Sequence, residues 1–177
     1  MRITHEVFDK ITIGLLTIDK GRKAEKEGEQ RLLFAMLGYV PVINHNEDGK
    51  PTIEGYHISI SHTIGYVAII LSKDFEVGID IEYVSNRVSC ITSRYLRSDE
   101  SFTDLRSQLI AWCAKETLYK LFSEEHLALQ EMKVNFALDH VTNLRSNIDI
   151  KFVSEVTHDY VLTYAWKKAA SKQSFDL

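Results

Sequence analysis

The residues best suited to chemistry are two acids two apart, Asp80 and Glu82 in Val77-Gly78-Ile79-Asp80-Ile81-Glu82, and Glu116 and Lys120 in the stretch WCAKETLYK that begins at Trp112. In a strand, residues i and i+2 share a face, so Asp80 and Glu82 point one way while Val77, Ile79 and Ile81 point into a core. Gly78 lets another backbone or a ligand approach closely. Like charges side by side repel, and without a cation one of them is driven towards protonation. A hard divalent ion resolves this, and Mg²⁺ held by a few carboxylates plus a substrate phosphate is the usual arrangement. Nothing nearby supplies the His/Cys set that zinc prefers. The bland alternative for Asp80 and Glu82 is the wet face of a sheet.

On a helix, Trp112, Glu116 and Lys120 stack at i, i+4 and i+8. Glu116 can complete a three-carboxylate metal site or accept a proton. Lys120 can hold a phosphate, or merely pair with Glu116 in an ion pair worth about 0.2–0.5 kcal/mol. Lys115 is open to the same two readings. Ser61-His62, in Ile58-Ser59-Ile60-Ser61-His62, is not a nucleophile and its base. Adjacent strand residues face opposite ways, and no G-x-S-x-G motif accompanies them. A His at a strand end can donate to a phosphate, or serve as a core or capping group.

These residues need elements to position them. Apolar, β-branched residues over 11–18 predict a strand. The pattern turns helical over 22–37, with Gly38 as C-cap. Residues 44–51 (NHNEDGKP) form a turn-rich loop around Asp48-Gly49. Strands follow over 56–61, 66–71 and 76–83, then helices over 86–96 and 105–122. Three weaker strands are expected near 133–138, 148–153 and 160–166. This order gives an α+β fold of two halves, 1–72 and 73–177, the second carrying the acidic motifs. No internal sequence repeat is evident, and two prolines without a Gly/Ser-rich linker predict tight packing of the halves.

Composition bounds the rest. At 177 residues and 45% apolar content the chain can bury a sizeable core. The net charge of −4 gives no reason to expect nucleic acid. The mixed Lys/Glu/Arg run over 20–31 reads as a solvated helix face or a local anion site. No apolar run is long enough to span a membrane, and the N-terminus lacks a secretory h-region. Cys90 and Cys113, without framework spacing, suit a reducing cytoplasm as two inert, half-buried thiols.

Taken together, the motifs resemble those of the 4′-phosphopantetheinyl transferases, specifically the longer, pseudo-dimeric, surfactin-synthetase-activating type. Gly49-Lys50-Pro51, Ile58-Ser59-Ile60-Ser61-His62-Thr63, the Asp80/Glu82 strand and the helix from Trp112 to Lys120 follow the family's order and approximate spacing. Arg31 looks like the family's arginine on the preceding helix.

The resemblance implies two similar α+β subdomains with mainly antiparallel sheets and coenzyme A in the cleft between them. It implies Mg²⁺ on Asp80, Glu82 and Glu116, with Arg31, Lys50, Ser61 and His62 on the coenzyme's phosphates or adenosine. Lys120 would reach the pyrophosphate and Glu116 would act as base. The implied reaction moves 4′-phosphopantetheine to a serine of an acyl- or peptidyl-carrier protein, in a chain that needs no second copy to build its cleft. The chain departs from the family after Lys120, where Leu121-Phe122-Ser123-Glu124-Glu125 replaces a Gly-rich stretch. A relative that binds coenzyme A or a carrier without transfer is the alternative. A metal-dependent nucleotide phosphohydrolase explains fewer of the motifs.

Overall fold

The computed structural model describes residues 1–6 and 10–169. The chain is α+β with antiparallel sheets. Strands β1 (Arg2–Glu6) and β2 (Ile11–Thr17) lead to helix α1 (Arg22–Leu37), closed by Gly38 at φ 81°. A two-rung hairpin of β3 (Asn44–His45) and β4 (Pro51–Thr52) carries the Asp48-Gly49 turn. Strands β5 (His57–Thr63), β6 (Tyr66–Ser72) and β7 (Phe75–Tyr83) follow. After a short helix α2 (Thr92–Tyr95) comes the long helix α3 (Leu105–Leu121). Strands β8 (Met132–Val134), β9 (His140–Asn143), β10 (Ile148–Val156) and β11 (Tyr160–Lys168) complete the order.

One sheet runs β1-β2-β6-β5 and the other β7-β11-β10-β9-β8. The order β2-β6-β5 has its counterpart in β7-β11-β10, each with a helix following its first strand. The repetition lies in topology, not in sequence. The sheets face each other across Ile13, Leu15, Ile70, Val77, Ile79, Ile81 and Leu162. Helix α1 covers the outer face of the first through Leu32, Leu33, Val67 and Ile69. Helix α3 covers the second through Leu109, Ala114, Leu118, Val161 and Ala165. Strand β6 is therefore buried on both faces, which is why its sequence is an unbroken apolar run.

Three local expectations need correction. Residues 86–96 form a 3-10 turn (Val88–Ile91) and the four-residue α2 rather than one helix. Its serines and β-branched Val88, Ile91 and Thr92 are poor helix formers, and its cap residues carry no side-chain cap. Strand β1 escaped prediction because its side chains are largely exposed. It is made by pairing with β2 and by Arg2, whose guanidinium donates to both Glu155 carboxylate oxygens at 2.9 and 2.6 Å. The short β9 falls outside the strands expected from sequence; it exists through its pairing with β8 and β10.

A glycine sits beneath the covering helix in each half. A Cβ on Gly78 would stand 2.4 Å from the Thr117 carbonyl oxygen on α3, a backbone atom that cannot turn aside. A Cβ on Gly14 would meet Met36 Sδ at 2.6 Å and Leu32 Cδ1 at 2.8 Å, the ends of flexible side chains. Gly78→Ala is expected to cost about 1–3 kcal/mol or more by overpacking. Gly14→Ala should cost clearly less. Urea unfolding of both variants checks this; equal midpoints would show that α3 can lift off β7.

Candidate active site

Helix α3 starts at Asp104, whose carboxylate accepts the Ser107 N–H at 2.9 Å and caps the first turn. It then lies across β7 on the face that carries Gly78, Asp80 and Glu82. Trp112 Nε1 donates to Glu82 Oε1 at 3.1 Å. Two turns on, Lys120 Nζ donates to Asp80 Oδ1 at 2.8 Å and to the Ile79 carbonyl at 3.0 Å. Glu116 lies between these two rungs on the same helix face. The Lys120 cation thus pairs with Asp80 across the packing interface, not with Glu116 one turn back.

Strand β5 supports β7 from the other side. Its hydroxyls accept backbone N–H groups at a constant offset: Ile79 to Ser59 Oγ at 3.2 Å, Ile81 to Ser61 Oγ at 3.3 Å, Tyr83 to Thr63 Oγ1 at 3.0 Å. Ser61 also donates to Asp80 Oδ1 at 2.8 Å, and Thr63 to Glu82 Oε2 at 3.5 Å.

Asp80 is 5% exposed, and its Oδ2 is buried with no hydrogen-bond partner. Glu82 is held above its ordinary value by burial first and by Asp80 second, partly offset by the Trp112 hydrogen bond. Glu116 is pushed up to about 7, first by burial and next by Asp80, with Lys120 opposing and Glu82 adding to the rise. These are the marks of three carboxylates sharing one partly dry field with a single lysine.

A hard divalent ion fits this donor chemistry, because it would satisfy the orphaned Asp80 Oδ2 and relieve the repulsion on Glu82 and Glu116. Among the described residues, however, no three His, Cys, Asp or Glu side chains stand as a ready-made ligand group. Proximity enough to shift a pKa is a looser condition than ligation. The raised values of Glu82 and Glu116 reflect a shared field rather than a preformed ligand cage.

The remaining site candidates separate into three places. Lys50 lines a cavity of about 200 Å³ with Ser59, Ile60, Tyr119 and Lys120, and burial lowers its pKa. His62 lines a larger cavity of about 470 Å³ with Lys26, Glu29 and His45; the two cavities share Pro51 and Ile60, so they form one groove. Ser61 is buried between β5 and β7, its hydroxyl proton given to Asp80. Arg31 lies on the exposed side of α1 in a third depression with Met1 and Phe34, which shares Gln30 and Val40 with the larger cavity and so adjoins it.

Lys115, ambiguous in sequence, faces away from this site into the core. Its Nζ donates to Glu100 Oε2 and to the Tyr95 carbonyl, both at 2.6 Å, and both side chains of the ion pair are fully buried. Glu100 also accepts the Arg97 and Val134 N–H groups at 2.9 and 2.6 Å. No sequence pattern points to Glu100, which follows a turn 15 residues away from its partner. The Ser-x-Ser-x-Thr alternation at 59, 61 and 63 was a signal for the hydroxyl contacts, though not for their partners. The thiols are not alike: Cys113 is buried, which holds its pKa well up, and Cys90 is exposed. No helix among the described residues is long and apolar enough to cross a membrane.

The family model of the 4′-phosphopantetheinyl transferase superfamily matches residues 76–165, just over half of the chain. The match begins on β7 and includes Asp80, Glu82, Glu116 and Lys120. No curated protein matches the chain.

Two outcomes are expected from the electrostatics. Glu116 titrates at about 7 in the fold against an ordinary 4.5, so the fold binds this proton more tightly than the unfolded chain does. Its contribution to stability is complete below 4.5 and is lost as pH rises through about 7. Glu116→Gln should therefore melt with the wild type near pH 4.5 and above it beyond pH 7, and millimolar Mg²⁺ should raise the wild-type midpoint more at the higher pH. A constant offset between the two proteins would refute the shift. In the core, Glu100→Ala strands a buried ammonium and should cost about 3–5 kcal/mol in urea unfolding. A loss typical of a surface pair would show that water reaches Lys115.

Proposed function

The chain belongs to the 4′-phosphopantetheinyl transferase superfamily, and from that premise we propose that it moves the 4′-phosphopantetheine arm of coenzyme A onto a serine hydroxyl of an acyl- or peptidyl-carrier protein. The observation that carries the reading is Lys120: it lines the groove and at the same time pairs with Asp80 beside Glu116. A diphosphate held there meets two lysines, Lys50 and Lys120, the second of which also pairs with Asp80.

In this reading the carrier's serine oxygen attacks the phosphorus that bears the pantetheine arm. A new P–O bond forms, the bridging P–O bond breaks, and adenosine 3′,5′-bisphosphate leaves with the bonding pair. The serine proton passes to the Glu116 carboxylate; its raised value of about 7 belongs to the ion-free site. Lys50 and Lys120 hold the diphosphate and offset the charge that grows on the leaving oxygen. Mg²⁺, which Asp80, Glu82 and Glu116 would hold, supplies further neutralisation of the diphosphate oxygens when bound. Ser61 and Trp112 keep the carboxylates of Asp80 and Glu82 aimed. Residues of a single chain line the groove, so a monomer suffices. The proposed substrates, and free thiols at Cys90 and Cys113 that suit a reducing compartment, support a cytoplasmic role in this reading.

The reading is tested by incubating the protein with coenzyme A, Mg²⁺ and apo-carrier proteins and weighing the carriers. A carrier that gains the phosphopantetheine mass supports transfer. Coenzyme binding without a mass gain would instead indicate a non-catalytic relative, and nucleotide breakdown without a carrier would indicate a phosphohydrolase. Asp80→Ala should abolish turnover. Glu116→Gln should lower kcat by about 10²–10⁴ while leaving coenzyme affinity nearly unchanged; parallel losses in both would make Glu116 a ligand rather than the base.

A further inference from the structure

The groove has one feature that the transfer chemistry does not use. Its larger cavity has three basic lining residues, Lys26, His45 and His62, and a single acidic one, Glu29 on α1. Lys26 and His45 are exposed, so water screens them. His62 differs: its Nε2 is buried, and the carboxylate of Glu29 lies directly against it. The contact is close enough for an ion pair but falls outside hydrogen-bond alignment, so the nitrogen has no proper acceptor.

Helix α1 cannot readily carry Glu29 away. A Cβ on the preceding Gly28 would meet Ile18 Cγ2 at 2.7 Å and Val67 Cγ2 at 3.1 Å, so the helix is pressed onto the sheet at this turn. The Glu29 side chain is itself only 20% exposed.

Coenzyme A is anionic in two places, its diphosphate and the 3′-phosphate of its ribose. With the diphosphate between Lys50 and Lys120, the adjoining adenosine falls into the cavity that shares Pro51 and Ile60 with the first. A 3′-phosphate there would seek the desolvated imidazole, where an ionic hydrogen bond is strongest. It finds that nitrogen already faced by a fixed negative charge. A phosphate dianion must push Glu29 aside or sit beside it, and both cost binding energy.

We propose that Glu29 is a specificity-determining residue that sets a carboxylate against the His62 Nε2, so that this chain takes dephospho-coenzyme A nearly as well as coenzyme A. The inference rests on the coenzyme reading above. A plain adenosine ribose loses nothing at this position, because it brings no charge to place beside the carboxylate. The 3′-phosphate, which would otherwise be the best handle on the nucleotide, contributes little.

Calorimetric titration with adenosine 3′,5′-bisphosphate and adenosine 5′-monophosphate tests this without any transfer step. The wild type should prefer the bisphosphate by less than about fivefold, and Glu29→Gln should raise that preference by at least about tenfold through the bisphosphate's Kd alone. Glu29→Ala should act in the same direction. A wild-type preference above about a hundredfold overturns the proposal, whatever the variants do. So does a ratio that is unchanged or lowered in Glu29→Gln, since Glu29 would then be orienting the imidazole as a phosphate donor. If both nucleotides bind and only the ratio fails, the coenzyme reading stands and this inference falls. If neither binds the wild type, both fall.

Discussion

Strand β7 is an edge of its sheet, paired with β11 on one side alone. Its other row of N–H groups is buried and must find acceptors. Three side-chain hydroxyls of β5 supply them, at Ser59, Ser61 and Thr63. Each such bond contributes about 0.5–1.5 kcal/mol net, and each buried donor left unmade would cost about 1–3 kcal/mol. The larger consequence is positional. Because Ser61 accepts from Ile81 and donates to Asp80, the contact that joins the two sheets also orients a carboxylate of the candidate site.

The same strand meets α3 across the face that carries Gly78, Asp80 and Glu82, where Gly78 brings the helix backbone within contact of the sheet. A side chain at that position would lift the helix and with it Trp112, Glu116 and Lys120. Asp80 is therefore fixed from two directions, by a hydroxyl from one half of the fold and an ammonium from the other half. Burial there is not free. Three acids with one lysine leave a net negative patch, and the cost shows in the raised values of Glu82 and Glu116. Packing from Lys115 and Glu100 on the far side of α3 holds the helix in place despite that repulsion. Their pair is fully satisfied, so it adds no charge to the site's field.

The groove follows from the same geometry. Lys50 arrives on the hairpin between β3 and β4, and Lys120 on the last turn of α3. Nothing brings them together except the packing of two sheets, each with its own covering helix. The two ends of the groove differ. At the small end a lysine pairs with an aspartate that is short of partners; at the large end a glutamate carboxylate lies against a histidine nitrogen that has no better partner.

By itself, the sequence determined the elements and their faces. Period-two alternation set β5 and β7, the i, i+4, i+8 spacing put Trp112, Glu116 and Lys120 on one face, and Gly38 ended α1. These are local properties, fixed by backbone geometry within a few residues. It misjudged residues 86–96 and β1, where local preference is weak and tertiary pairing decides. Only the tertiary structure settled which partner each polar group takes. Lys115 went to Glu100 rather than to a phosphate, Lys120 to Asp80 rather than Glu116, and Ser61 to Asp80. Glu29 came to His62 although they lie far apart in the chain. Charge and hydrogen-bonding energies fall within a few ångströms, so their outcome depends on distances between elements, and those distances are set by how the sheets and helices pack.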